Sequence, residues 1–127
     1  MNVETKMCEL EIARTVRRFD REDYGSVVYG IMKEGSTILG GFELSIPYRR
    51  VEQKAYWINI WDFKVAPEHQ RKGFGTACYF ALEKMILEKY RPEEIHLRAT
   101  TPDSKRFWEK LGYTTTHDQG MKKRFGD

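Results

Sequence analysis

The sequence predicts an α/β or α+β fold, in which helices pack against a mixed sheet. Residues 26–65 carry runs of β-branched and aromatic side chains, which is the composition of strands. From residue 70 the period of the apolar residues changes from two to about 3.6, returns to two, and then becomes helical again. The order of sheet, then strand, helix, strand and helix, then sheet is typical of a layered domain with one mixed sheet.

The composition is that of a folded domain. The 127 residues are 40% apolar and 32% charged, which excludes a disordered chain and fits one domain over residues 1–127. No stretch approaches the roughly 18 apolar residues that span a bilayer, so we expect no membrane association. A net charge of +3 is too small for a dedicated nucleic-acid binder. The only two cysteines, Cys8 and Cys78, favour a reduced, cytoplasmic protein without disulfides.

The N-terminal segment satisfies two patterns. Cys8, Leu10 and Ile12 alternate with glutamates, as in a strand. Cys8, Ile12, Val16 and Phe19 also follow helical spacing, and we predict a helix here.

Three strands are predicted in the next part of the chain. Residues 26–32 and 37–46 flank a turn at Gly35, which predicts a hairpin. Residues 55–65 concentrate aromatic and branched side chains, so we predict a strand at the centre of the sheet that is covered on both faces. Its two tryptophans are expected to pack in the core, and a wall of an acceptor site is the alternative.

A helix and a short strand follow. Apolar residues recur at helical spacing from Phe74 to Met85, which predicts a helix that ends near Tyr90. Residues 95–99 alternate between apolar and polar side chains and are predicted as a strand.

A second helix is predicted after Thr101. This threonine and the following Pro102 are the residue types that cap and open helices, and Gly112 suits the left-handed position after the helix. Two final strands are predicted over 113–116 and 121–125. The basic residues of the last strand are expected to protect an exposed sheet edge.

The loop at residues 70–76 carries the strongest chemical signal. A helix N-terminus offers unpaired N–H groups and a positive dipole end, and Gly73 and Gly75 allow an anion to approach the backbone closely. Arg71 and Lys72 add positive charge. The pattern predicts a pyrophosphate site, and a tight turn with a basic rim is the alternative. The P-loop and dinucleotide patterns are both absent.

Two segments resemble the GCN5-related N-acetyltransferases, or GNAT family. QRKGFG at residues 70–75 is similar to the family's Gln/Arg-x-x-Gly-x-Gly/Ala signature, and residues 65–68 are similar to its lead-in. FWEKLGY at 107–113 resembles its Phe-Tyr-Glu-Lys-x-Gly-Phe segment, and 121–123 its last strand. The resemblance implies an acyl-CoA N-acyltransferase fold with a mostly antiparallel sheet and a short N-terminus. The strands at 55–65 and 95–99 would splay apart.

The resemblance implies an N-acetyltransferase that uses acetyl-CoA as cosubstrate, without a metal. A primary amine of a small molecule or a protein would attack the thioester directly. The implied coenzyme contacts are Val65, Gln70, Arg71, Lys72, Gly73, Phe74, Gly75, Thr76, Thr101, Ser104, Phe107 and Trp108.

The catalytic residues depart from the family pattern. Trp108 stands where many members have a tyrosine acid, and an indole N–H does not readily transfer a proton. Asn59 stands where some members have a glutamate base, and it is expected to orient water. Asp62 is expected either to handle the proton or, more simply, to form a salt bridge. The candidates for handling the proton are Asp62 and His69, with Glu43 and Tyr113 as weaker choices.

Two other functions compete with acetyl transfer. A non-catalytic CoA-binding regulatory module would fit the missing tyrosine and glutamate, and a nucleic-acid-binding domain would use the basic residues. The acceptor determinants are expected in the N-terminal half and at residues 47–54. The short N-terminus implies an acceptor groove that is open or completed by a second copy in a homodimer.

Overall fold

The architecture is one sheet with two helices. The computed structural model describes residues 7–19, 24–47, 57–117 and 119–125. Within them the strands are β1 (Glu9–Phe19), β2 (Tyr24–Glu34), β3 (Thr37–Pro47), β4 (Trp57–Val65), β5 (Glu94–Arg98), β6 (Thr114–Thr115) and β7 (Gly120–Arg124). The helices are α1 (Phe74–Lys89) and α2 (Pro102–Lys110), and a 3₁₀ turn covers Pro67–His69.

The sheet is mixed and mostly antiparallel, as predicted. Its order is β1-β2-β3-β4-β5-β7-β6, and only the β4–β5 pair is parallel. The parallel pair is joined by α1, because two parallel strands need a crossover connection. The β2–β3 hairpin turns at Gly35, whose φ of 61° is the left-handed conformation that glycine adopts readily.

The N-terminal segment is a strand, so the predicted helix is wrong. β1 pairs antiparallel with β2 along its length, and Leu10 lies opposite the buried Met32. The ladder to β2 satisfies backbone groups, and the period-two alternation places Leu10 on the face that holds the core. A helix would have left the edge of β2 unpaired.

β4 lies at the centre of the sheet, as predicted, but only one of its faces is covered. Ile58 and Ile60 are buried, whereas Trp57 is 37% and Trp61 58% exposed. The expected burial of both tryptophans is therefore wrong. The reason is that α1 and α2 pack on the same face, and no helix among the described residues covers the other.

The core lies between that face and the two helices. α1 buries Phe74, Cys78 and Leu82 of the predicted apolar stripe, whereas Met85 of that stripe is only partly buried. Tyr79, which the prediction did not include, is fully buried as well. Trp108 of α2 contacts Phe63 of β4 and Tyr79 of α1, with ring centroids 5.5 and 5.4 Å apart. Cys8 and Cys78 are free thiols. In the described part of the chain, neither helix has the length and apolar character needed to traverse a bilayer.

β7 lies between β5 and the two-residue β6, which pairs only with Met121 and Lys122, so the predicted exposed edge is wrong for Lys122. Lys123 Nζ donates to Glu83 Oε2 of α1 at 2.9 Å, and Lys122 Nζ lies 3.4 Å from Glu94 Oε2 of β5. These two lysines therefore join neighbouring elements of the fold.

Candidate functional site

β4 and β5 pair for only four residues and then separate. The parallel ladder covers residues 57–60 of β4 and 94–97 of β5. β4 continues to Val65, whereas β5 ends at Arg98. A wedge therefore opens between the carboxyl ends of the two parallel strands, which is where ligands bind in sheets of this kind.

A β-bulge in β4 lies at the mouth of this wedge. Ile60 is opposite Leu44 of β3, and Asp62 is opposite Glu43, so Trp61 is the extra residue. A bulge bends its strand and increases the local twist. Its position directly after the last residue paired with β5 accounts for the separation of the strands.

The wedge opens into a cleft of about 640 Å³ between β4, the end of β5 and the start of α2. Four residues that the sequence singled out line it together: Asn59, Asp62, Ser104 and Trp108. The cleft has a mixed lining, in which polar side chains such as Asn59 and Asp62 lie beside apolar ones such as Phe63 and Trp108.

Asp62 is exposed at the cleft, and Asn59 is half-buried beside it. Within the described ranges, no ion pair involves Asp62, so the expected salt bridge is not formed there. Glu43 lies opposite Asp62 in the β3–β4 ladder. The carboxylate of Asp62 is therefore available to a ligand in the cleft.

The loop between β4 and α1 has an unusual backbone. Arg71 and Gly73 have φ angles of 62° and 85°, and Gly73 is the N-cap of α1, with its carbonyl accepting from Ala77 N–H at 3.3 Å. No side chain caps this helix end. The N–H groups of Gly75 and Thr76 lie in the first turn, where the helix itself provides no acceptor. This helix start and the exposed Arg71 can hold an anion.

Lys72 is also exposed on this loop, whereas two of its neighbours have structural roles. Gln70 Nε2 donates to the carbonyl oxygen of Val65 at 2.8 Å and ties the loop to the end of β4. Phe74 is buried, with His69 packed edge-on against its ring at 6.1 Å. His69 therefore rests on the loop and does not line the cleft.

Phe107 connects this loop with the cleft. A Cβ on Gly75 would lie 3.4 Å from the Phe107 ring, which is an ordinary van der Waals contact, so the loop and the ring are neighbours. Phe107 also stacks on Phe63, a residue of the cleft wall, with ring centroids 6.3 Å apart. The anion-binding loop and the cleft are therefore neighbouring parts of one site.

Thr101 has a capping role. Its Oγ1 accepts a hydrogen bond from the Ser104 N–H at 3.1 Å, which confirms it as the N-cap of α2. It does not line the main cleft, whereas Ser104 does. The cap holds the start of α2 at the cleft and so positions Ser104 and Trp108.

Tyr113 lies in the core, away from the cleft. It is 2% exposed, and its hydroxyl is 2.8 Å from that of Tyr79. Burial raises the pKa of both phenols far above the ordinary value of 10. The predicted proton-handling role does not fit this position, because Tyr113 is a neutral group enclosed by aromatic rings.

Trp61 lines the cleft, which is closer to the alternative expectation, a wall of an acceptor site, than to the predicted core position. Arg98 and Gln119 also line the cleft, and the sequence reasoning did not propose either as a site residue. Arg98 Nη2 donates to Gln119 Oε1 at 3.3 Å, which joins the end of β5 to the turn before β7. Arg98 could have been found as the last residue of a parallel strand. Gln119 carries no local signal, because only the fold brings it to the cleft.

The side chains of the described residues do not form a metal site. No three side chains of His, Cys, Asp or Glu are grouped among them as metal ligands. Residues 48–54, where acceptor determinants were expected, lie outside the described residues.

The chain is similar in sequence to one protein family and in fold to several solved structures. A family model described as the acetyltransferase (GNAT) family matches residues 3–113. The PaiA N-acetyltransferase of Thermoplasma acidophilum, solved in complex with coenzyme A, is 22% identical, with a TM-score of 0.60 over 78% of this chain and 61% of that one. Naa50 of Arabidopsis thaliana, in complex with the bisubstrate analogue CoA-Ac-MVNAL, is 16% identical, with a TM-score of 0.57 over 76% and 72% of the two chains.

A third structure, a complex of KacTA with DNA, is 14% identical, with a TM-score of 0.63 over 77% of this chain and 67% of that one. At these identities the likeness shows the fold, which confirms the predicted fold class. The chain spans about three fifths of the length of the PaiA acetyltransferase. No curated protein matches the sequence.

Proposed function

The chain belongs to the acetyltransferase (GNAT) family, and we propose that it transfers an acetyl group from acetyl-CoA to a primary amine, by direct attack of the amine on the thioester. The observation that carries this proposal is the cleft where β4 and β5 separate, next to the uncapped start of α1. One cleft would then hold both the coenzyme and the acceptor.

The residues at the start of α1 fit a diphosphate. The N–H groups of Gly75 and Thr76 and the positive end of the helix dipole would bind it, with Arg71 and Lys72 adding charge. The left-handed Gly73 shapes this turn. Acetyl-CoA would supply an acetyl group activated as a thioester.

The wedge fits the extended arm of the coenzyme. Because β5 ends at Arg98, the backbone groups of β4 that face it beyond residue 60 have no partner from β5. Phe63 and Trp108 provide apolar walls, and the Ser104 hydroxyl provides a polar contact. The strands would thus orient the reacting group toward the bulge.

Asp62 is the group best placed to handle the proton. A primary amine is largely protonated at neutral pH and must lose a proton before it attacks. The Asp62 carboxylate is exposed at the cleft without an ion pair in the described ranges, so it can accept that proton directly or through water. Asn59 can orient such a water, and Trp108 can donate a hydrogen bond but not a proton.

The test is an assay of thiol release with acetyl-CoA and a panel of primary amines. We expect amine-dependent release of free CoA. Asp62→Asn should lower kcat by about 10²-fold, because it removes a general base, and should leave CoA binding unchanged. Glu68→Gln is the matched control, since Glu68 is exposed in the 3₁₀ turn and does not line the cleft.

Two outcomes would contradict the proposal in different ways. If CoA binds and no amine releases thiol, the chain is a non-catalytic CoA-binding regulatory module. If calorimetry detects no heat with CoA at millimolar concentration, the coenzyme site itself is wrong.

Three expectations about the protein's surroundings stay predictions. The net charge of +3 supports the absence of a nucleic-acid partner. The two free thiols support a cytoplasmic location. The acceptor is either a small molecule or a protein amine.

A further inference from the structure

The outer edge of β1 is open. β1 is the first strand in the sheet order, and no described strand pairs with its outer side. It is 11 residues long, which is long for an edge strand. An open edge presents unpaired N–H and C=O groups that can pair with a strand of another chain.

The side chains of β1 are poorly covered. Ile12 is 38% exposed, and Met7, just before the strand, is 67% exposed. Leu10 is only partly buried against the core. Apolar side chains on an open edge favour a partner that removes them from water.

The charged residues of β1 are separated by sign. Glu9 and Glu11 lie in its first half, and Arg14 and Arg17 lie in its second. A strand that uses charge only to repel other strands can carry the same sign throughout. A strand with separated signs repels a parallel copy of itself and attracts an antiparallel one.

The bulge in β1 brings three of these charges to one face. Glu9, Glu11 and Arg14 lie opposite Lys33, Ile31 and Tyr29, which alternate along β2. Without the register shift between Ile12 and Arg14, the arginine would lie on the opposite face from the glutamates. Opposite residues of an antiparallel pair point to the same face, so these charges can meet those of a second copy.

We propose that β1 is a homodimer interface, in which two copies of the chain pair antiparallel through their β1 edges. Arg14 of each copy lies beside Glu9 and Glu11 of the other, about a two-fold axis near the bulge. One sheet then continues through both copies. The interface is independent of the coenzyme site, because β2 and β3 separate β1 from β4.

The other face of β1 adds apolar contact to this pairing. A groove of about 400 Å³ lies between β1 and α1, lined in part by Leu10, Ala81 and Met85. Ile12 shares the face of Leu10, since their β2 partners are Gly30 and Met32. Antiparallel pairing places the Leu10 and Ile12 side chains of the second copy on the same side as this groove.

The described contacts of Glu11 within its own chain leave its carboxylate able to contact a second copy. Its Oε2 lies 3.7 Å from Lys33 Nζ, and its side chain remains 54% exposed. An exposed pair at this distance contributes little to stability. A second contact with Arg14 of another copy is therefore compatible with the fold.

Sedimentation velocity over a concentration series tests the proposal. The wild-type protein should form dimers that dissociate more readily at high salt. Glu9→Lys/Glu11→Lys and Arg14→Glu should each raise the dimer dissociation constant by about tenfold or more, because like charges then face each other. Glu93→Lys/Glu109→Lys is the control with the same charge change on exposed residues outside β1, and it should leave the dimer intact.

A variant in which both the glutamates and the arginine of β1 are reversed distinguishes a loss of dimer pairing from a loss of folding. The triple variant Glu9→Lys/Glu11→Lys/Arg14→Glu should regain the dimer, and a mixture of the two separate variants should form heterodimers. Circular dichroism should show native structure for all of them. A wild type that stays monomeric throughout the series, or a dimer unaffected by either reversal, would overturn the proposal.

Discussion

Asp62, Asn59 and Trp108 determine which proton transfers the cleft can support. Trp108 forms part of the cleft wall and can only donate a hydrogen bond. Tyr113, the nearest tyrosine in the motif, is enclosed in the core and bonded to Tyr79. The acid chemistry that a tyrosine would provide is therefore absent from this position, and the proposed acetyl transfer relies on the exposed Asp62.

The first prediction concerns Gly75, in the first turn of α1. Gly75→Glu should abolish CoA binding, because a carboxylate there interacts with the helix N-terminus and repels the diphosphate. Isothermal titration calorimetry measures the loss, and circular dichroism checks that the fold is retained. Gly75→Ala is the matched control: its Cβ meets only the Phe107 ring at 3.4 Å, so affinity should stay within a few-fold of wild type. Wild-type affinity in the glutamate variant would show that the loop has only a structural role.

At the scale of the elements, the site depends on where β4 stops pairing on each side. On one side β5 diverges after residue 97, and on the other β3 stays paired up to Gly40 opposite Val65. Among the described strands, only β3 pairs with the end of β4, and the hydrogen bond from Gln70 adds a second polar contact there. The contact between β3 and β4 positions the loop that follows.

The second prediction tests this contact. A Cβ on Gly40 would lie 1.9 Å from the carbonyl oxygen of Lys64, so Gly40→Ala must push β3 and β4 apart. We expect a loss of about 2–3 kcal/mol in the free energy of unfolding and weaker CoA binding, since the end of β4 moves. Urea denaturation measures the first effect, and calorimetry the second.

Gly35→Ala provides the comparison for this prediction. Gly35 has a φ of 61° but open space around it, so alanine there is strained without a clash and costs about 1 kcal/mol. Equal losses of stability at the two positions would contradict the predicted contact between the strands.

At the scale of the whole molecule, a core on one side of the sheet encloses two phenols. Tyr79 and Tyr113 lie between α1, α2 and the sheet, with their hydroxyls 2.8 Å apart. Burial raises the pKa of both far above 10, so both stay neutral in the folded state at high pH. In the unfolded chain the phenols are exposed to water, so they lose their protons near the ordinary pKa of about 10.

The third prediction follows from the sign of these shifts. Below pH 10 the phenols are neutral in both states and do not affect the free energy of unfolding. As the pH rises above 10, the unfolded chain loses protons that the folded chain keeps, so stability falls by about 1.4 kcal/mol per pH unit for each phenol. Urea denaturation between about pH 8 and 11 measures the slope.

The Tyr79→Phe/Tyr113→Phe variant is the control for this slope. It removes both hydroxyls of the pair together, so no single hydroxyl is left without its partner. Its stability should fall less steeply above pH 10 than that of the wild type. If the free energy of unfolding falls equally steeply with pH in the variant and the wild type, the two phenols are not the cause of the fall.

Features that depend on neighbouring residues can be predicted from the sequence. The apolar period of α1, the cap at Thr101, the turn at Gly35 and the glycines of the 70–75 loop are local patterns, and the structure has the corresponding elements in place. The loop at residues 70–75, which resembles the family's signature, lies within the range that the family model matches. Local hydrogen bonds and backbone preferences depend on residues a few positions apart, so they can be read from a single segment.

Features that depend on residues far apart in the sequence required the folded structure. The N-terminal segment satisfied both periods, and pairing with β2 made it a strand. Both helices lie on one face of β4, which exposes Trp61 at the cleft and encloses Tyr113 in the core. The physical reason is that strand pairing and burial depend on which segments meet in space, and the period of one segment does not specify its partner.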